Sequence, residues 1–211
     1  MPIIGDGMHL KRIEVENFKS FGGEMVIPFD EGFTAITGPN GSGKSNSGDA
    51  IQFVLGPKST KALRASNVSE LIFNGGGRGK AAKHMSVTLV FANVPEHDGR
   101  RRLRIDDDEV SFTRSVRLNR KGEPISSFRI GEKPSTATEM RRVLAEAGLR
   151  GDGYNIVLQG DVTNLATMTP HKRRGVLEEV AGVTAYDDEI RRANTQRKHV
   201  ESSIETIDLL E

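Results

Sequence analysis

The sequence predicts an α/β fold in which a short apolar strand delivers a phosphate-binding loop to a helix, with a coiled-coil helix at the C-terminal end. Three observations carry this reading. Gly38-Pro39-Asn40-Gly41-Ser42-Gly43-Lys44-Ser45 reads G-x-x-x-x-G-K-S, between an apolar run from Phe33 to Thr37 and a helical pattern that begins at Lys44. Met85, Val87, Leu89 and Phe91 recur at the period of a strand. From Ile190, the residues Ala193, Arg197, Val200, Ile204 and Ile207 follow at alternating spacings of three and four, a heptad seam with one charged interruption.

In chain order, Ile13 and Val15 alternate with charged residues between Leu10 and Phe18, as in a half-exposed strand. Gly22-Gly23 is expected to turn the chain back into a return strand over Met25 to Phe29, and Phe33 to Thr37 to form a buried strand. Ser20-Phe21-Gly22-Gly23-Glu24 has a superficial likeness to a Ser-Gly-Gly nucleotide signature, but its inserted Phe and its place upstream of the loop favour the hairpin.

Glycines at 38, 41 and 43 let the backbone turn tightly and present successive N–H groups to an anion at a helix N-terminus. Lys44 is placed to reach the β- and γ-phosphates of a nucleotide, and Ser45 to put its hydroxyl on the Mg²⁺ that bridges them. The following helix, from about Lys44 to Leu55, carries Ile51, Val54 and Leu55 on one stripe and stops at Gly56-Pro57. Gly48 inside it costs about 0.5 to 1 kcal/mol relative to alanine, and Ser47 puts a hydroxyl where an apolar contact is expected.

The basic stretch from Lys58 to Ala65 reads as a solvated loop, and Gly75 to Lys80 as a flexible connection. Val110, Phe112 and Val116 continue the strand pattern beyond Arg100–Arg104 and Asp106–Glu109, opposite charge runs that flank a hairpin turn; the arginines are secondary candidates for a phosphate backbone. Thr136 with Glu139 makes a capping box for a helix whose stripe is Met140, Val143, Leu144 and Ala147 and which ends at Gly148. A strand-like run from Tyr154 to Leu158 ends in Gln159, whose amide oxygen is a candidate Mg²⁺ ligand or water-orienting group. Thr169-Pro170 opens one further helix and Thr184 with Asp187 the last. That last helix has no second helix of matching length to pair with, and an ordinary amphipathic surface helix is the alternative to a coiled-coil strand.

Composition excludes more than it assigns. With 30 Lys+Arg against 29 Asp+Glu, net charge argues for no partner, and with no cysteine there are neither disulfides nor thiolate metal sites. No apolar stretch reaches membrane-spanning length and residues 1–7 lack a leader pattern, so a cytoplasmic protein without membrane association is expected. An ATPase also needs an apolar strand ending in Asp and followed by Glu. Ser86 to Val94 ends at Pro95 and Ile156 to Leu158 at Gln159, so the chain reads as half a catalytic site.

Phe18-Lys19-Ser20-Phe21, Gly38 to Asn46, Leu63-Arg64-Ala65, Leu71-Ile72-Phe73, Val157 to Gly160 and Arg173 to Gly182, in this order, resemble the N-terminal head segment of the structural maintenance of chromosomes (SMC) proteins, from about Leu10 to Glu211. The resemblance implies a P-loop NTPase fold, the N-terminal lobe of an ABC-type ATPase head over residues 1–183, and the start of a coiled-coil arm over 184–211. It implies a C-terminal half that supplies the acidic strand, the Ser-Gly-Gly signature and the second coiled-coil strand. ATP and Mg²⁺ are then the expected cofactors. The implied nucleotide contacts are Lys11, Arg12, Gly38, Pro39, Asn40, Gly41, Ser42, Gly43, Lys44, Ser45, Asn46 and Gln159; Ser45 and Gln159 serve the metal. Arg64 matches the arginine that couples DNA to hydrolysis, and Lys58 and Lys61 lie beside it as candidate DNA contacts.

The implied partners are the C-terminal half of the same head, a second SMC head, a kleisin subunit and double-stranded DNA, with hydrolysis on head engagement serving chromosome condensation and segregation. In a prokaryote the protein would be nucleoid-associated. Alternatives are an SMC-like double-strand-break repair ATPase, whose zinc-hook family lacks the Arg173 to Gly182 block, and a non-catalytic module that binds nucleotide, DNA or kleisin. One departure is local: Ser47-Gly48 stands where the family has an apolar pair.

Overall fold

Strand β1 (Leu10–Phe18) turns at Lys19 and Ser20 into β2 (Phe21–Pro28) and opens a six-stranded antiparallel sheet in a computed structural model that describes residues 7–56, 60–77, 79–151, 168–180, 190, 193–198 and 200–201. The other strands are β3 (His84–Ala92), β4 (Glu109–Leu118), β5 (Pro124–Ile130) and β6 (Lys133–Ser135), and the spatial order is β2-β1-β3-β4-β5-β6. Period-two patterning decides its faces. Ile13 opposes Leu89, which opposes Phe112, and Val15 opposes Val87, so one face is a buried apolar surface. The other face carries Glu14, Thr88 and Thr113 in register, with the two threonine hydroxyls 2.8 Å apart.

Helix α1 (Lys44–Leu55) packs by Ala50, Phe53, Val54 and Leu55, all buried. Its Phe53 ring meets Phe18 of β1 at 5.5 Å between centroids. Arg114 of β4 sits on the sheet face of Val15 and Val87 and lays its guanidinium 4.3 Å from the Phe53 ring centroid, while Nη1 donates to the Phe53 carbonyl at 2.8 Å. A cation at the helix C-terminus complements the dipole there. Burial, with the nearby Arg141 charge, pushes the Arg114 guanidinium below its ordinary value.

The β3–β4 connection is organised by the fully buried Asn93. Its Nδ2 donates to the carbonyls of Leu103, Ile105 and Asp107 at 3.2, 2.9 and 3.1 Å, and its Oδ1 accepts from the Leu103 N–H at 3.0 Å. Arg101 pairs with Asp108 at 2.7 Å and Arg102 with Glu96 at 2.9 Å, so these arginines serve the loop itself. Helix α2 (Ala137–Glu146) starts at the expected cap, where Thr136 Oγ1 accepts from the Glu139 N–H at 3.1 Å, and buries Met140 and Leu144.

Residues divide into two compact units, Met1–Ile156 and Val157–Glu211. In the second, α3 (Pro170–Val180) begins where Thr169-Pro170 predicts, with the Arg173 N–H donating to the Thr169 carbonyl at 3.0 Å. Residues 190, 193–198, 200 and 201 are helical, and Ile190 and Val200 of the seam are exposed. Ile204, Ile207, the Thr184–Asp187 start and the expected boundary at 183/184 lie outside the described residues. Among the described residues no helix is long and apolar enough to cross a membrane.

Three expectations change. The β1–β2 turn falls at Lys19-Ser20, before Gly22-Gly23, because the Lys19 N–H donates to the Leu71 carbonyl (2.7 Å) and the Asn17 carbonyl accepts from the Phe73 N–H (2.8 Å), holding Asn17 and Lys19 at φ 51° and 52°. Phe33 to Thr37 is not a buried strand. It is unpaired and exposed, Phe33 to 94%, with no described strand beside it. Of the basic stretch, Thr60–Leu63 is a 3₁₀ turn with Leu63 buried, followed by Arg64 at φ 55°, so this part is no solvated loop.

A Cβ at Gly48 would meet nothing within 4 Å. Gly48→Ala is therefore expected to raise the unfolding free energy of the chain by about 0.5 to 1 kcal/mol, read from urea denaturation; a lowered midpoint would contradict the open space.

Candidate nucleotide-binding site

The loop before α1 is shaped by where side chains cannot be. Gly43 is the N-cap residue at φ 95° and ψ 3°, and a Cβ there would lie 3.0 Å from Cε1 of Phe21. A Cβ on Gly38 would lie 2.8 Å from Oγ of Ser42. The chain thus doubles back immediately before the helix, whose first N–H groups have no intrahelical acceptor and whose positive dipole end favours an anion. Gly38 to Ser42 and Ser45 are exposed. Lys44 Nζ donates to the carbonyls of Gly38 and Pro39, both at 2.6 Å, and so spans the loop. This donor set, an ammonium and a hydroxyl at a bare helix end, fits a nucleotide polyphosphate with Mg²⁺.

The Phe18-Lys19-Ser20-Phe21 stretch is the wall behind this loop. Phe18 stacks on Phe53; Lys19 Nζ pairs with Asp49; Ser20 Oγ accepts from Asn46 Nδ2 at 2.6 Å; and the Phe21 ring closes against Gly43. Four successive residues around the tight Lys19-Ser20 turn therefore touch the loop or its helix. Asp49 receives a second cation, Arg64 Nη2, on the same Oδ2 atom.

The structure brings together Gly38, Pro39, Gly43, Lys44 and Asn46 of the expected nucleotide residues, with Asn40, Gly41, Ser42 and Ser45 on the same exposed loop and helix start. Lys11 and Arg12 are engaged elsewhere. Both pair with Glu109, Arg12 at 3.1 Å, and Arg12 Nε also donates to Glu14 at 2.7 Å. The Lys11 hydrogen bond, then that of Arg12, holds the Glu109 carboxyl below its usual range. Gln159, Lys58 and the side chain of Lys61 lie outside the described residues. Sequence reasoning passed over Lys19 and Asp49. The available signal was an acid one helical turn beyond Ser45, on the side of α1 that carries Phe53 into the core.

Fold and loop together are those of the N-terminal lobe of a P-loop NTPase. The family described as the RecF/RecN/SMC N-terminal domain matches residues 9–153, and the chain belongs to that family. It is similar to the chromosome partition protein Smc of Pyrococcus furiosus, 41% identical over 203 residues covering 96% of this chain and 16% of the relative. The Synechocystis protein of the same name is 40% identical over 87% of this chain and 16% of its own length. Among solved structures, the Smc head domain of Pyrococcus furiosus with an extended coiled coil, bound to the C-terminal domain of ScpA, matches at a TM-score of 0.77 and 42% identity, over 96% of this chain and 49% of that one. A structure described under ATP-driven dimerization and DNA-stimulated activation of SMC ATPases matches at 0.70 and 44%, over 82% of this chain and 99% of that one. The chain thus spans 16% of the length of these curated relatives and corresponds to an SMC head segment.

Gly41, at φ 83°, faces open space, whereas Gly43 faces Phe21. Gly41→Ala and Gly43→Ala both strain the backbone, by about 1 kcal/mol or more, and Gly43→Ala is expected to cost more in urea denaturation. Equal losses would mean that Phe21 does not back the loop.

Proposed function

We propose that this chain is the ATP-binding half of an SMC ATPase head, residues 1–183, with residues 184–211 starting the coiled-coil arm. The observation that carries this is the exposed loop at the start of α1 with Lys44 held across it by the Gly38 and Pro39 carbonyls. Lys44 would transfer its hydrogen bonds to the β- and γ-phosphates of ATP, and Ser45 and Gln159 would hold Mg²⁺ or its water shell. Asn46, fixed by Ser20, keeps the helix start in place. Lys11 and Arg12 would have to exchange Glu109 for the nucleotide to serve as contacts.

No apolar run of the sequence ends in Asp-Glu, and in this reading a C-terminal half of the head would supply the water-positioning carboxylate. The exposed apolar run at Phe33 and Ile36 supports that reading, since it leads into the phosphate loop and has no described strand beside it. In the assembled head, ATP would be sandwiched between the loop of one head and the signature of a second, and hydrolysis on engagement would serve chromosome condensation and segregation in the cytoplasm. Arg64, with Lys58 and Lys61, would face double-stranded DNA and link it to turnover. A kleisin is the expected further partner, as ScpA is for the Pyrococcus furiosus head.

The chain alone is expected to bind ATP weakly and hardly to hydrolyse it, whereas co-expression with a C-terminal head half restores turnover that Lys44→Ala abolishes. Substantial hydrolysis by the chain alone, lost in Lys44→Ala, would overturn the half-site.

A further inference from the structure

We propose that Asp49 is the positioning residue through which Arg64 acts on the phosphate loop, as the resting counter-ion that a nucleic-acid phosphate displaces from Arg64. The proposal rests on the reading of the chain as half of a DNA-responsive ATPase head. One carboxylate oxygen of Asp49 takes both Lys19 Nζ and Arg64 Nη2. The three side chains differ sharply in exposure, Asp49 at 4%, Lys19 at 13% and Arg64 at 53%. Lys19 Nζ also donates to the carbonyl of Leu63, the residue before Arg64, at 2.6 Å. The β1–β2 turn, α1 and the Thr60–Leu63 turn are thereby closed into a ring of polar contacts around one buried charge.

Each member has a physical reason to be where it is. A buried carboxylate needs cations, and the nearly buried Lys19 cannot leave for solvent. Arg64 is half exposed, and its planar guanidinium matches a phosphate as well as a carboxylate. Its backbone stands at φ 55°, a conformation that a non-glycine residue keeps only when its surroundings fix it. Asp49 lies four residues after Ser45 and five after Lys44, one turn down the same helix. When a phosphate captures Arg64, Asp49 keeps Lys19 alone, and the charge balance beneath the residues that hold the nucleotide changes. By linkage, the position of α1 changes the affinity of Arg64 for the phosphate in return.

The test uses the chain assembled with a C-terminal head half, with double-stranded DNA as the probe. Asp49→Asn keeps the shape of the side chain and removes the competing charge. It is expected to tighten DNA binding about fivefold at low salt and to steepen the dependence of log affinity on log salt by about 0.9. At the same time the ratio of turnover with DNA to turnover without it falls to about one, because capture of Arg64 by a phosphate no longer changes the charge balance on α1. A purely structural role would weaken binding and stimulation together, so opposite movement of the two readouts is the signature. Arg64→Ala in the Asp49→Asn background is expected to erase the gain in affinity.

Unchanged affinity and stimulation in Asp49→Asn would overturn the proposal, as would equal effects of Arg64→Ala in both backgrounds. If Asp49→Asn does not fold, the double variant Lys19→Met, Asp49→Asn, which removes the stranded lysine as well, is read in the same way. A wild-type assembly that binds neither ATP nor DNA overturns the parent reading and this proposal with it. A stimulated wild type with an unaltered Asp49→Asn overturns this proposal alone.

Discussion

A buried carboxylate on the phosphate-loop helix sets the geometry of everything around it. Taking Asp49 out of water costs several kcal/mol unless cations and hydrogen bonds compensate, and Lys19 and Arg64 both arrive to do so. Lys19 can reach only because β1 ends in a tight turn, and Arg64 only because the chain after Leu63 takes a left-handed step. Together with the Phe18–Phe53 contact, the carboxylate fixes α1 from its flank as well as from the core. The loop at the helix start inherits that rigidity, and preorganised donors are what a phosphate site needs.

The Ser47-Gly48 departure acquires a consequence in this setting. Ser47 is buried and Gly48 faces open space, so neither supplies the apolar contact that the sequence pattern leads one to expect there. The helix compensates further along. Ala50, Phe53, Val54 and Leu55 are buried and Arg114 stacks against Phe53, which anchors the C-terminal half of α1 in the core. The polar ties from Ser20 to Asn46 and from Lys19 to Asp49 hold the N-terminal half instead.

Much of this was legible in the sequence wherever local signals agree with tertiary need. The bounds of α1, the Thr136 cap, the Thr169-Pro170 start and the alternation of β3 and β4 all follow from patterns that also serve the core. The misses have one cause, contacts distant in sequence. Gly22-Gly23 looks like the turn, yet bonds to Leu71 and Phe73 place it at Lys19-Ser20. Lys58 to Ala65 looks solvated, but Leu63 enters the core and Arg64 answers Asp49. Phe33 to Thr37 has the composition of a buried strand but stands exposed, since a strand is defined by its neighbours. Of the candidate site, the loop residues were readable as a motif. The Asp49 pairing was not, because nothing in a linear spacing says that Lys19 and Arg64 converge.

That exposed segment bears most directly on the claim that this chain is one half of an ATPase head. Residues 33–37 lead straight into the phosphate loop, and a β-strand beside them would complete the support on which the loop rests. Amide hydrogen exchange of residues 33–37, measured for the chain alone and after assembly with a C-terminal head half, tests this. Fast exchange alone and strong protection after assembly are expected. Protection already present in the isolated chain, or fast exchange that persists in an assembly competent for ATP hydrolysis, would contradict it.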